Sequence, residues 1–77
     1  MPKYLLELSA SPGVPHFSGK EFANDEQAIA EAGRSVADVL REELWMEHAP
    51  VSIRLKVTEF GRPVATVFAH AGVDRFY

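Results

Sequence analysis

One stretch of this chain has the periodicity of a helix, and everything else must be sheltered by it. In "DEQAIAEAGRSVADVLREELWMEH" the apolar residues Ile29, Ala32, Val36, Val39, Leu40 and Leu44 recur at helical spacing and form one stripe. Asn24 stands ahead of it with Gln27 at the third helical position, close to a capping box. Asp25 and Glu26 suit the positive end of the helix dipole. Ala49-Pro50 closes the run, because the residue before a proline avoids the helical region. The pattern predicts a helix over residues 25–47, with Arg34 placed to meet Glu31 and Asp38 on its wet side.

The rest reads as strands. Tyr4 to Leu8 is mostly apolar with a single Glu, which suits a central strand. "SASPGVP" (residues 9 to 15) carries two prolines and a glycine and is a loop. "HFSGKEF" is weaker. Phe17 and Phe22 differ in parity, so a bulge at Gly19 and an edge position are expected. Val51, Ile53, Leu55 and Val57 alternate with Ser52, Arg54, Lys56 and Thr58, the cleanest period-two pattern in the chain. "EFGR" makes the turn, with Gly61 left-handed and a bulge, and Pro63 to Ala69 returns.

Strands are therefore expected at about 3–9, 16–22, 51–58 and 63–69, in one domain spanning 1–77. The fold class is α+β with ββαββ order. Its four-stranded, mostly antiparallel sheet carries one amphipathic helix on one face. The helix-facing side is expected to take Val51, Ile53, Leu55, Val57, Val64 and Phe68. Strand order is open at this level.

Size and charge narrow the function classes. At 77 residues the chain has room for one core, and a domain of this size buries only ~60% of its unfolded surface. No cysteine is present, which removes disulfides and thiolate metal sites and fits a reducing compartment. The N-terminus lacks a signal-peptide core, and no apolar run approaches the ~20 residues that span a bilayer. A cytoplasmic protein with no membrane contact is expected. The net charge of −3 argues against nucleic acid as the main partner. That mean hides an asymmetry: residues 25–47 hold seven acids against Arg34 and Arg41, while the remainder carries six bases and four acids.

Several segments resemble a family of small bacterial proteins of unknown function, common in alphaproteobacteria. The likeness lies in "PKYLLEL", "EFANDEQAIAEA" and "VTEFGRPVATV". Pro2, Lys3 and Tyr4 match a Pro-basic-Tyr opening strand, and Asp25, Gln27, Ala28, Glu31 and Ala32 match the helix start. Val57, Gly61, Arg62 and Val64 match the hairpin, with Glu59 near its acidic position. The first loop departs from the family pattern in lacking an Asp-Gly turn. The resemblance implies a fold and no activity. A looser likeness, of architecture alone, is to antitoxin domains of the HicB kind.

The residues that carry chemistry are sparse. His16, His48 and His70 show no close spacing of the kind that binds zinc, so no metal site is expected. The serines lack a nucleophile elbow, and Glu42 and Glu43 diverge by ~100° around the helix. No phosphate-binding glycine loop occurs. The chain is thus expected to be no enzyme and to hold no cofactor.

Two surfaces remain. Arg54, Lys56 and Arg62, with Lys3 and Lys20, form a basic set that marks a nucleic-acid face or, more simply, a solvated strand guarded against edge pairing. No aromatic stacking pair is evident beside Ser52 and Thr58. The second surface is apolar. Leu5, Ala65, Val67 and Ala69 lie opposite the expected helix-facing residues, with Trp45 and Met46 extending the patch. The tail residues Phe76 and Tyr77 are disordered, tucked in, or part of an interface. These residues predict a non-catalytic interaction module, self-associating as a homodimer through its uncovered sheet face or an edge strand. The alternative is a nucleic-acid-binding or antitoxin-like regulator using the basic face.

Overall fold

A computed structural model describes residues 2–11, 15–46, 50–72 and 74. The elements follow in the order β1 (Lys3–Ser11), β2 (His16–Glu21), α1 (Asp25–Trp45), β3 (Val51–Glu59) and β4 (Arg62–Ala71). The strands form one antiparallel sheet in the order β2-β1-β3-β4. This is the α+β arrangement expected, with β1 central and β2 at an edge. The helix lies mainly over β3 and β4.

The helix starts as its cap predicts. The Asn24 side chain accepts the Gln27 N–H at 2.9 Å, and the Gln27 side chain accepts the Ala23 N–H at 3.2 Å. It ends at Trp45, with Met46 donating its N–H to the Glu42 carbonyl at 3.0 Å. Residues 47–49, and with them His48, lie outside the described residues.

The buried stripe is Ala28, Ala32 and Val36, flanked by half-buried Val39 and Leu40. Ile29 and Leu44, expected as members of the stripe, are 38% and 41% exposed. The small side chains at i and i+4 let the helix backbone settle close to the sheet and leave the larger ones at the margins. Arg34 forms no ion pair among the described residues; Glu31 instead meets Lys20 at 4.0 Å, and Asp38 meets Arg41 at 3.8 Å.

Under the helix lie Tyr4 and Leu6 of β1 and Val51, Ile53, Leu55 and Val57 of β3, all buried. Each fully buried aliphatic side chain contributes about 1.5–3 kcal/mol of transfer free energy. The two inner strands thus carry most of the core.

Two details of register bear on which residues face away from the helix. In β2 the pairing with β1 runs without interruption from Lys3↔Glu21 to Leu8↔His16, so Gly19 is no bulge. The parity conflict is resolved differently. Phe17 turns outward at 64% exposure, and Phe22 lies past the end of the strand. There its ring packs edge-on against Tyr4, centroids 5.7 Å apart.

The second hairpin does carry the bulge expected there, and it falls at Val64: Val57 pairs with Ala65 but Thr58 pairs with Pro63. Val64 is the extra residue, and it reverses the facing of everything after it. Directly opposed residues share a face, so Ala65, Val67, Ala69 and Ala71 stand with Val57, Leu55, Ile53 and Val51 on the helix side. Phe68, opposite Arg54, faces the other way and is 70% exposed. The expected placing of Phe68 under the helix is corrected by this one residue.

Candidate functional site

Two places gather polar side chains from distant parts of the sequence. The first joins β1, the start of α1 and the β3–β4 turn. The Tyr4 hydroxyl donates to Asp25 Oδ1 at 2.8 Å. Arg62 then grips Asp25 with both terminal nitrogens, at 2.9 Å to Oδ1 and 3.3 Å to Oδ2. The same guanidinium reaches Glu59 Oε1 from NH2 at 2.8 Å and from Nε at 3.3 Å. Arginine's planar fork suits this double carboxylate contact, which a lysine point charge cannot reproduce.

Charges follow the geometry. Arg62 and the Tyr4 hydroxyl, both bonded to Asp25, hold its carboxyl below the usual range. Burial, aided by the bond to Asp25, pushes the Tyr4 phenol up to about 12. Each donor in the cluster is engaged by a neighbour in the chain. The cluster acts as a clasp that locks the helix start to the hairpin, and Tyr4, Asp25, Glu59 and Arg62 all fall within the short motifs quoted above.

The second place is the sheet face opposite the helix. Register assigns to it Lys3, Leu5, Glu7 and Ser9 of β1, Phe17, Gly19 and Glu21 of β2, Ser52, Arg54, Lys56 and Thr58 of β3, and Thr66, Phe68 and His70 of β4. Phe17 lies in one cross-strand row with Glu7, Lys56 and Thr66, and Phe68 lies in the next with Arg54 and Ser9. Neither Arg54 nor Lys56 has an ion-pair partner among the described residues. The end of Lys3 crosses Gly19, its Cε 3.3 Å from where a β-carbon would sit. Ser9, Ser52, Arg54, Lys56, Phe68 and His70 line a groove of about 530 Å³ on this face.

The sequence-derived candidates are thus divided between the two sides. Arg54 and Lys56 stand together on the open face, and Lys3 joins them. Arg62 is taken up by the clasp, and Lys20 faces the helix, beside Glu31. Of the apolar candidates, Leu5 lies on the open face and is 47% exposed, while Ala65, Val67 and Ala69 are half-buried on the helix side. Phe76 and Tyr77 lie outside the described residues. Trp45 and Met46 are exposed at the end of the helix.

The two aromatics of the open face were missed in the sequence. The bulge expected at Gly19 would let Phe17 and Phe22 share the core face, but the pairing there is uninterrupted, and Phe68 changes sides only when Val64 is counted as an extra residue. The signal available was the doubled apolar step Val64-Ala65 directly after Pro63.

Among the described residues no group of three His, Asp or Glu side chains stands close enough to hold a metal ion. No described helix is long and apolar enough to cross a membrane.

Comparison with known proteins adds one finding. No curated protein and no solved structure matches the chain. A family model does match, over residues 4–70, a span that includes the clasp and all of the open face but Lys3. The chain belongs to DUF6894, a family defined by a domain of unknown function.

Proposed function

We propose that this protein is a small non-catalytic interaction module whose working surface is the open face of the sheet. One observation carries the reading: opposite the helix, Leu5, Phe17 and Phe68 are exposed on the same face as two cations without ion-pair partners, Arg54 and Lys56. Single exposed apolar residues need no explanation. Three on one face, interleaved with uncommitted charge, have the composition of a recognition surface.

Site-directed photo-crosslinking in native cells tests this directly. A benzoyl-phenylalanine in place of Phe68 is expected to give light-dependent adducts, while the same group in place of Arg34, on the outer helix surface, gives none. Silence at position 68, or equal labelling from both positions, overturns the reading.

Self-association is supported by a different feature, the β2 edge. Phe22 donates its N–H to the Pro2 carbonyl at 3.1 Å. By antiparallel alternation, Lys20, Ser18 and His16 then bond to β1, and the backbone groups of Phe17, Gly19 and Glu21 face outward. This edge has neither proline nor bulge, whereas β4 is interrupted by Pro63 and Val64. A second copy adding itself along β2 leaves the open face continuous between the two protomers. Sedimentation equilibrium is expected to show a dimer at high micromolar concentration, and a monomer throughout that range removes this part of the proposal.

A further inference from the structure

We infer that the occupant of the open face is an extended single strand of nucleic acid, with bases stacked on Phe68 and Phe17 and phosphates held by Arg54 and Lys56. The inference rests on the reading of that face as the working surface and names its partner.

Net charge alone disfavours nucleic acid, because the chain is acidic. The fold changes the local balance. Six of the acids, Asp25, Glu26, Glu31, Asp38, Glu42 and Glu43, belong to the helix, on the other side of the sheet. On the open face, register places Lys3, Arg54 and Lys56 against Glu7 and Glu21.

Aromatics decide what kind of anion fits. Phe68 stands directly across from Arg54, with the groove beside it, and Phe17 lies at the far edge of the sheet. The two are separated by three strand spacings, ~14 Å. Four-stranded sheets that hold single strands do so by stacking two or three bases on exposed aromatics. Cations beside those aromatics then take the backbone between the stacked bases.

Other occupants use only part of this surface. A duplex offers phosphates but keeps its bases stacked inside, so both rings would face nothing. An acidic peptide engages the cations and leaves the rings exposed. A second copy docked face to face across a two-fold axis sets Arg54 and Lys56 against their own duplicates, and like charges at an isologous contact oppose it.

Fluorescence anisotropy with labelled twelve-nucleotide single strands (oligo-dT and oligo-rU) at 50 mM salt is the test. Binding is expected, and it should weaken about sevenfold on going to 200 mM salt if two phosphates are neutralised. Phe68→Ser should reduce affinity by at least about fivefold, the loss of one stacked base. Arg54→Glu should reduce it and also flatten the salt dependence. Both side chains are exposed, so circular dichroism of the variants should match wild type.

Absence of binding to either oligonucleotide overturns the inference, as does binding that Phe68→Ser and Arg54→Glu leave unchanged. Equal affinity for a poly-glutamate chain of the same length, or for the corresponding duplex, also overturns it. If position 68 still crosslinks in cells while no oligonucleotide binds, the surface stands and only its partner was misassigned. If crosslinking fails as well, the surface itself falls.

Discussion

Arg62 shows how much of this small fold depends on single side chains. Its guanidinium closes a circuit from β1 through the helix start to the hairpin, and Asp25 is the acceptor common to Tyr4 and Arg62. Because the Asp25 carboxyl is held below its ordinary range, the linkage has a definite sign. Between the folded value and the unfolded value of about 3.9, the unfolded chain binds more protons, so stability rises with pH there. The contribution is complete above that unfolded value and disappears as pH falls through the folded one. Urea unfolding of wild type and Asp25→Asn should therefore show a constant advantage for wild type from neutrality down to about pH 4. Below that the gap should close; a gap independent of pH disproves the linkage. Tyr4 works in the opposite direction. Its phenol, raised to about 12, favours folding while it is neutral and loses that contribution as pH climbs from about 10 towards 12. After a rapid pH jump, absorbance at 295 nm should include a late ionisation step that Tyr4→Phe abolishes.

At the level of elements, the β3–β4 turn is the point where sequence and conformation disagree. Glu59 pairs with Arg62, leaving a two-residue loop in which both Phe60 (φ 49°) and Gly61 (φ 80°) are left-handed. That is the dihedral pattern of a type I′ turn, which favours Asn or Asp before Gly. Phenylalanine in this region costs about 1–2 kcal/mol, and Phe60 is 90% exposed, so no packing offsets it. Nothing in the structure explains the choice of residue. Phe60→Asn should raise Tm by about 4–8 °C for each kcal/mol recovered, and an unchanged or lower Tm would show that the ring has a partner of its own. The same hairpin shows what was legible beforehand and what was not. Alternation from Val51 to Thr58 sufficed to place β3, and Asn24 with Gln27 sufficed to start the helix, because both signals are local. The facing of Phe68 was not legible, since one looped-out residue at Val64 inverts it and a bulge is decided by pairing across strands. The helix stripe shifted from Ile29 to Ala28 for a related reason: periodicity gives a face only to within one residue, and packing against the sheet selects the smaller one. The clasp was half legible. Its four residues sat inside the quoted motifs, but nothing in their spacing showed that they meet.

For the whole molecule, the consequence is a separation of charge by layer, acidic on the helix and basic on the open sheet face. Net charge is a poor guide to a partner when the two signs are held on opposite sides of a screening medium. At 0.1 M salt the Debye length is about 10 Å, so a strand lying on the sheet feels Glu7 but is largely shielded from the outer helix. Glu7 sits directly across from Lys56 and beside the path assigned to the phosphates. A unit charge ~5–8 Å away is worth roughly 0.5–0.8 kcal/mol in water. With screening at this ionic strength, Glu7→Gln should then tighten oligonucleotide binding by about 1.5-fold to twofold. Glu42→Gln, which changes the net charge by the same amount on the exposed helix surface, should leave affinity nearly unaltered. Anisotropy titrations of the two variants, side by side, separate a local electrostatic site from a bulk charge effect. Equal gains from both would mean that the oligonucleotide responds to overall charge, and the assignment of phosphates to Arg54 and Lys56 would have to be abandoned.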